Sequence, residues 1–228
     1  MPLVEVVDLK KSWPQPGGGS TTVLDVPRFE LEAGQECALR GQSGSGKTTF
    51  LHLLAGILAP TSGSVRVAER ELARLGEAER DQLRARHIGY VFQSFHLLQG
   101  FSALENVELG MAFGAGVDRA RATALLERVG LQERLHHRPA QLSVGQQQRV
   151  AVARALANQP ELVLADEPTG NLDRELAGEA LALLREVCAE SGAALLLVSH
   201  DPHVLEGFDS VVSFAELNRA LGTSAGAS

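Results

Sequence analysis

The chain has 228 residues, of which 44% are hydrophobic and 21% charged, and a formal charge of −7 at pH 7. That length can bury one full core and fits a single compact domain, or a core carrying a subdomain. The acidic balance argues against nucleic acid as the main partner, because backbone phosphates are bound by a basic face, and no run of about 18 apolar residues is present to span a bilayer.

The N-terminus, Met1-Pro2-Leu3-Val4-Glu5, has neither the basic start nor the apolar core of a signal peptide. A membrane role is therefore expected to come through a partner. Val4–Leu9 alternates as a strand does, Pro14–Ser20 reads as a loop, and strand-like alternation resumes over Val23–Leu31. Glu36–Arg40 is a strand that runs into the glycine loop Gly41–Thr48, and Lys47–Leu58 is a helix with apolar Phe50, Leu51, Leu54 and Ile57. A short strand at Ser64–Val67 follows. The charged stretch Glu69–Arg86 reads as helix, and Ile88–Phe92 as a buried-type strand ending at Gln93. From Ser94 to Pro139 the pattern is helical, over Ala103–Leu109, Arg119–Val129 and a short piece near Glu133, which predicts an inserted helical subdomain. Then come helix Gly145–Ala157, the apolar strand Leu162–Ala165, helix Glu175–Glu190, strand Ala194–Ser199 and a last strand Asp209–Phe214; the tail 222–228 is expected to be disordered. Strands alternating with helices, with near-continuous apolar runs, predict a mainly parallel sheet covered on both faces.

Gly41-Gln42-Ser43-Gly44-Ser45-Gly46-Lys47-Thr48 works by geometry. Glycines let backbone N–H groups curl around phosphate oxygens, Lys47 reaches the β- and γ-phosphates, and the Thr48 hydroxyl can ligate Mg²⁺. Strand, glycine loop and helix in that order are the context that supports a phosphate loop. Leu162–Asp166 puts a carboxylate at the end of an apolar strand, where Asp166 can meet the same Mg²⁺, and Glu167 follows on a loop from which it can polarise water. Leu142-Ser143-Val144-Gly145-Gln146 opens a second helix. Free N–H groups at a helix start form an anion site, and since the chain already has one for its own nucleotide, the spare one predicts a nucleotide held between two copies.

Taken together, these segments resemble the nucleotide-binding subunit of ATP-binding-cassette transporters over about residues 3–214. Gly41–Thr48 matches the family's Walker A loop, Leu162–Asp166 its Walker B strand and Leu142–Gln146 its signature motif; Gln93 falls at the Q-loop glutamine, Asn171-Leu172-Asp173 at the D-loop and His200 at the switch histidine. The resemblance implies an α/β phosphate-loop NTPase fold: a mainly parallel central sheet flanked by helices, an antiparallel N-terminal β-subdomain and a helical subdomain. It implies one domain over 1–228, with a RecA-like core plus β-subdomain at 1–93 and 158–221, and the helical subdomain at about 94–157. By the same resemblance the chain is an ATPase using ATP and Mg²⁺. Glu167 is implied as the catalytic base, with His200 on the γ-phosphate and Lys47 as the third catalytic group. The nucleotide would be held by Gly41, Ser43, Gly44, Ser45, Gly46, Lys47, Thr48 and Thr49, with Gln93 sensing both the metal and the membrane partner. Thr48, Gln93 and Asp166 are the implied metal ligands. Ser143, Gly145, Gln146 and Asp173 would belong to the shared face of a homodimer closed over ATP. Trp13 sits about where the family has an aromatic ring that stacks on adenine. The implied partners are integral membrane permease subunits, with no span in this chain and no nucleic acid, which places it at the cytoplasmic face of the inner membrane.

Within the family, Ser94–Leu98, Ser102–Val107 and Thr169–Asp173 are similar to ATPases of lipoprotein-release and macrolide-export systems. A cell-division ATPase of similar build, which signals through its membrane partner without moving cargo, is the alternative. After His200 only 28 residues remain (228 − 200), too few for the regulatory domain of many sugar importers, and the ending Phe208–Leu221 departs from the family's usual closing hairpin. Val144 stands where the family usually has glycine; a residue entering a helix takes negative φ, which valine accepts. Cys37 and Cys188 have no zinc or disulfide spacing and read as buried reduced thiols, and His136-His137 as a solvated loop pair.

Overall fold

The computed structural model describes residues 1–223. Its centre is a five-stranded sheet in the order β6-β7-β8-β3-β9, built from β6 (Ile88–Val91), β7 (Leu162–Asp166), β8 (Ala194–Ser199), β3 (Glu36–Arg40) and β9 (Val211–Ser213). Every pairing in it is parallel. All residues of β7 and β8 are buried, as expected of parallel strands covered on both faces. A second, antiparallel sheet runs β2-β1-β4-β5, from β1 (Val4–Pro14), β2 (Ser20–Leu31), β4 (Ser62–Val67) and β5 (Arg70–Glu71).

Three apolar clusters bind these layers. The first lies between the antiparallel sheet, helix α1 (Lys47–Leu54) and one face of the parallel sheet. There Phe50 meets Phe29 edge-on, ring centroids 5.5 Å apart, and Phe214 at 5.7 Å. The second covers the opposite face with α6 (Arg174–Ser191) and α7 (Pro202–Leu205), through Leu184, Cys188, Val204 and Phe208. The third is helical: α3 (Ala103–Ala112), α4 (Arg119–Arg128) and α5 (Val144–Ala155) pack through Leu104, Val107, Met111, Leu126 and Val150. Capping fixes the starts of these helices. The Ser102 N–H donates to Glu105 at 2.7 Å and the Glu105 N–H donates back to the Ser102 hydroxyl at 3.3 Å. Both cysteines are free and buried; burial raises the Cys37 thiol and pushes Cys188 up to about 12.

Several expected boundaries move. β1 and β2 extend to Pro14 and Ser20, because cross-strand pairing continues through Trp13↔Thr21, so only residues 15–19 form the turn. α1 stops at Leu54 rather than Leu58, where Gly56 takes a left-handed φ of 66°. The stretch Glu69–Arg86 is not one helix. Ala68 and Glu69 have φ of 48° and 64°, β5 and a 3₁₀ turn at Leu72–Arg74 follow, and helix α2 covers only Glu77–His87. Buried Leu72 anchors that turn in the first cluster, an effect that charge pattern cannot reveal. The expected strand Asp209–Phe214 is cut to Val211–Ser213, and buried Phe214 opens a helical turn, α8 (Phe214–Leu217). Gly222 and Thr223, expected in a disordered tail, end a last helical turn, α9 (Ala220–Thr223); 224–228 lie outside the described residues.

Gly89 in β6 passes directly beneath the end of α5. A Cβ there would run into the Ala155 carbonyl, whose carbon is 3.1 Å from the ideal position. Gly89→Ala should therefore push α5 off the sheet and cost about 2–3 kcal/mol, seen as a melting temperature lower by roughly 5–10 °C for a chain of this size. Thermal unfolding followed by circular dichroism measures it, and an unchanged midpoint would contradict the packing described.

Candidate active site

Parallel registry gathers the polar loops on one edge. Arg40↔Ser199 and Asp166↔Val198 are in register across β3, β8 and β7, and Val91↔Ala165 joins β6. The segments that leave these strands at their C-terminal ends therefore lie side by side: the glycine loop after β3, Glu167 after β7, His200 after β8 and Gln93 after β6. This is the edge of an open α/β sheet where ligands bind. Together they line a cleft of about 350 Å³ made of Val23, Ser43, Gly44, Gly46, Lys47, Thr48, Thr49, Gln93, Asp166, Glu167 and His200.

Lys47 is the buried cation of the cleft. Its ammonium donates to the carbonyls of Gly41 (2.7 Å) and Gln42 (2.8 Å) and stands 3.7 Å from Glu167 Oε1. The same Glu167 oxygen is 2.9 Å from His200 Nδ1, so the carboxylate is held between a lysine and a histidine. Glu167 takes a φ of 46°, strained for a residue with a side chain. Two backbone bonds hold it there: its N–H donates to Val198 O (3.0 Å), and its carbonyl accepts from Gly170 N–H (3.0 Å).

Asp166 is buried beside the Thr48 hydroxyl. Burial pushes its carboxyl above the usual carboxylate range, outweighing the hydrogen bond from Thr48; the neighbouring Glu167 pushes the same way. Gln93 is exposed at the rim, and Asn171 Nδ2 donates to its carbonyl at 2.7 Å. Thr48, Asp166 and Gln93 offer only oxygen donors of the kind that suit Mg²⁺, and no cluster of three or more His, Cys, Asp or Glu side chains is placed to hold a metal among the described residues. His137 lies 2.9 Å from the Arg134 guanidinium instead. The glycine loop fits a polyphosphate on its own terms. Gly44 and Gly46 are left-handed (φ 77° and 97°), and the buried Ser45 hydroxyl has no partner of its own.

Other expected residues stand elsewhere. Gly41 and Ser45 lie on the outer flank of the loop, in a second hollow shared with Ser43, Gly44 and His200. Ser143 caps α5: its hydroxyl accepts from Gln146 N–H (3.2 Å), and its own N–H donates to Gln146 Oε1 (3.0 Å), which commits the Gln146 side chain to the cap. Val144 opens that helix, exposed and without positive φ, and Gly145 lies against Leu176. Asp173 caps α6 through Leu176 N–H (3.0 Å). Trp13 lies next to the end of β1, 42% exposed, with the Lys11 ammonium 4.3 Å from its ring centroid. None of Trp13, Ser143, Gly145, Gln146 or Asp173 lines the cleft. Val23, which does, had no sequence signal beyond its place in a strand.

A glycine loop between strand and helix, with a carboxylate at the tip of a neighbouring apolar strand, defines a phosphate-loop nucleoside triphosphatase. Residues 24–170, more than half of the chain, match the family model described as ABC transporter, and the chain belongs to that family. It is 47% identical over 199 residues to the lipoprotein-releasing system ATP-binding protein LolD of Chromohalobacter salexigens, covering 86% of this chain and 84% of the relative. It is 48% identical over 212 residues to LolD of Pseudomonas fluorescens, covering 92% and 93%. Among solved structures it is similar to a dimeric ATP-binding cassette in a post-hydrolysis state bound to ADP and Pi, with TM-score 0.84, 33% identity and 95% coverage of both chains. The chain is thus an ATP-binding, ATP-hydrolysing cassette of the ABC transporter family. No helix among the described residues is long and apolar enough to cross a membrane.

Because its carboxyl is raised in the fold, Asp166 contributes stability only while protonated, and that contribution is lost as pH rises through its folded value. Asp166→Asn keeps an acceptor for the Thr48 hydroxyl and removes the buried charge. The nucleotide-free variant should melt a few degrees higher than the parent at pH 8 and show little gain at pH 4. Its ATP hydrolysis should fall on the order of a hundredfold or more if the carboxylate serves as a metal ligand there. A lower melting temperature at pH 8 would contradict this reading of the site.

Proposed function

We propose that the chain is the ATPase subunit of a lipoprotein-releasing or related export system, working as two copies that close over two Mg·ATP and drive a membrane permease. One observation carries the reading. The cleft holds only the glycine-loop half of the site, while Ser143, Val144 and Gly145 begin α5 on an exposed helix start outside it. A second copy related by a two-fold axis brings that start over the first copy's nucleotide, and the reverse. The similar solved structure of a dimeric cassette supports this arrangement, and the LolD relatives support lipoprotein release over the cell-division alternative. In this reading 94–157 is the helical subdomain that carries the signature segment, and 1–93 with 158–221 the RecA-like core with its β-subdomain. The chain would sit at the cytoplasmic face of the inner membrane through its permease.

The geometry supports these roles. Backbone N–H groups of residues 44–49 and the Lys47 ammonium take the phosphates, and Lys47 supplies the fixed positive charge where negative charge develops. Mg²⁺, held by Thr48, Asp166 and Gln93, would neutralise phosphate oxygens as the terminal bond breaks. Glu167 accepts the proton of the attacking water. His200, 2.9 Å from Glu167 Oε1, orients that carboxylate and would contact the γ-phosphate. Trp13 would offer its free face to adenine, and Asp173, which caps α6 through Leu176, would join Ser143 on the shared face.

Glu167→Gln should bind ATP, accumulate as an ATP-dependent dimer in sedimentation velocity, and lose about two to four orders of magnitude in turnover. Unchanged hydrolysis would sink the assignment. The partner is tested by copurification of the tagged chain from detergent extracts: a four-span permease with a large periplasmic domain of export type is expected, and a division-type partner would overturn the export reading.

A further inference from the structure

The closing segment of the chain, unreadable in the sequence, reaches back beneath the glycine loop. Phe214 abuts the loop's first residue: a Cβ built on Gly41 would lie 3.2 Å from Phe214 Cβ. Four residues on, the Asn218 side chain is fully buried and uses all of its amide capacity. Its oxygen accepts from the N–H of Asp25 (2.8 Å) and Ala220 (3.2 Å); its nitrogen donates to the carbonyls of Val23 (2.9 Å) and Ser45 (3.3 Å). The neighbouring Arg219 N–H adds a bond to Asp25 O at 2.9 Å. One amide thus ties together β2, the closing segment and the middle of the loop, across 173 to 195 residues of sequence.

The bond to Ser45 has a consequence for the ligand. A trans peptide is planar, with C=O and the following N–H pointing in opposite directions. Fixing the Ser45 carbonyl toward Asn218 therefore turns the Gly46 N–H away from Asn218 and toward the cleft, which Gly46 lines. That N–H donates to no acceptor among the described residues. Gly44 and Gly46 both have positive φ, and glycine rotates between conformations at little cost. The Ser45–Gly46 peptide is therefore a plane whose orientation the loop alone does not fix.

We propose that Asn218 is a positioning residue for the nucleotide: it sets the Ser45–Gly46 peptide so that its N–H is presented to a phosphate oxygen. The proposal rests on the reading of Gly41–Thr48 as the phosphate-binding loop. Asn218 touches no substrate and acts on binding of the phosphates, leaving the water-activating Glu167 and His200 in place.

The test compares Asn218→Ala and the isosteric Asn218→Asp, which keeps the acceptor but faces the carbonyls of Val23 and Ser45 with an oxygen. Isothermal titration calorimetry gives the Kd for ATP and for inorganic triphosphate, and steady-state kinetics gives KM and kcat. Both variants should weaken ATP and triphosphate by on the order of tenfold, the effect of losing one hydrogen bond to a charged group. KM should rise by a similar factor while kcat stays within about threefold. Asn158→Ala serves as the matched structural control: Asn158 Nδ2 donates to Ala85 O and Gly110 O, away from the loop. That variant should lose stability and keep wild-type affinity. Should Asn218→Ala fail to fold, Asn218→Asp decides alone. Wild-type Kd and KM in a folded Asn218 variant would overturn the proposal, provided that Lys47→Ala abolishes ATP binding. If Lys47→Ala also binds ATP normally, the loop reading itself has failed.

Discussion

Three strands paired in parallel decide where the chemistry of this chain can occur. β7, β8 and β3 are apolar enough to be buried on both faces, and parallel pairing aligns their C-terminal ends in register. The glycine loop, the Asp166-Glu167 pair and His200 each follow one of those ends. Without that registry they would be a lysine, two carboxylates and a histidine far apart in sequence. With it, Glu167 lies 3.7 Å from the Lys47 ammonium and 2.9 Å from His200. The strained backbone of Glu167 is a further result, since its N–H is bonded to Val198 of the neighbouring strand.

The segments proposed to complete the site from a second copy are displaced from this edge. The helical cluster of α3, α4 and α5 carries an exposed, capped helix start at Ser143, and Asp173 caps α6 nearby through Leu176, the residue Gly145 rests against. A cleft built from one chain has a buried lysine, a glycine loop and a carboxylate. In the proposed dimer a second copy would supply the lid over it, so that ATP binding would draw the two copies together.

Motifs whose geometry is local were legible in the sequence. The glycine loop is a contiguous strand, turn and helix start; Leu162–Asp166 is a single strand; Ser143 and Gln146 are three residues apart and cap each other. What depended on distant contacts was not legible. Charge composition over Glu69–Arg86 read as helix, but the turn at Ala68-Glu69 and the burial of Leu72 in the first cluster break it. Pro14–Ser20 read as a loop, whereas the pairs Trp13↔Thr21 and Pro14↔Ser20 put both ends of that stretch into strands. Asn218 carried no signal and Phe214 read only as a strand end, since their partners at Val23, Asp25, Gly41 and Ser45 lie more than 170 residues away. The departure at Val144 left no trace in the backbone: the position enters a helix without positive φ, which valine accepts.

In the proposed dimer each ATP is hydrolysed between two copies. Lys47→Ala leaves a chain without a working loop, and Ser143→Arg a chain without a working helix start. Neither should hydrolyse ATP alone. Mixed in equal amounts, half of the dimers combine the two, and each of these holds one intact site, so about a quarter of the parental rate should return if the sites act independently. A Ser143→Arg chain that hydrolyses ATP at the parental rate by itself, or a mixture as inactive as its two components, would contradict the shared site.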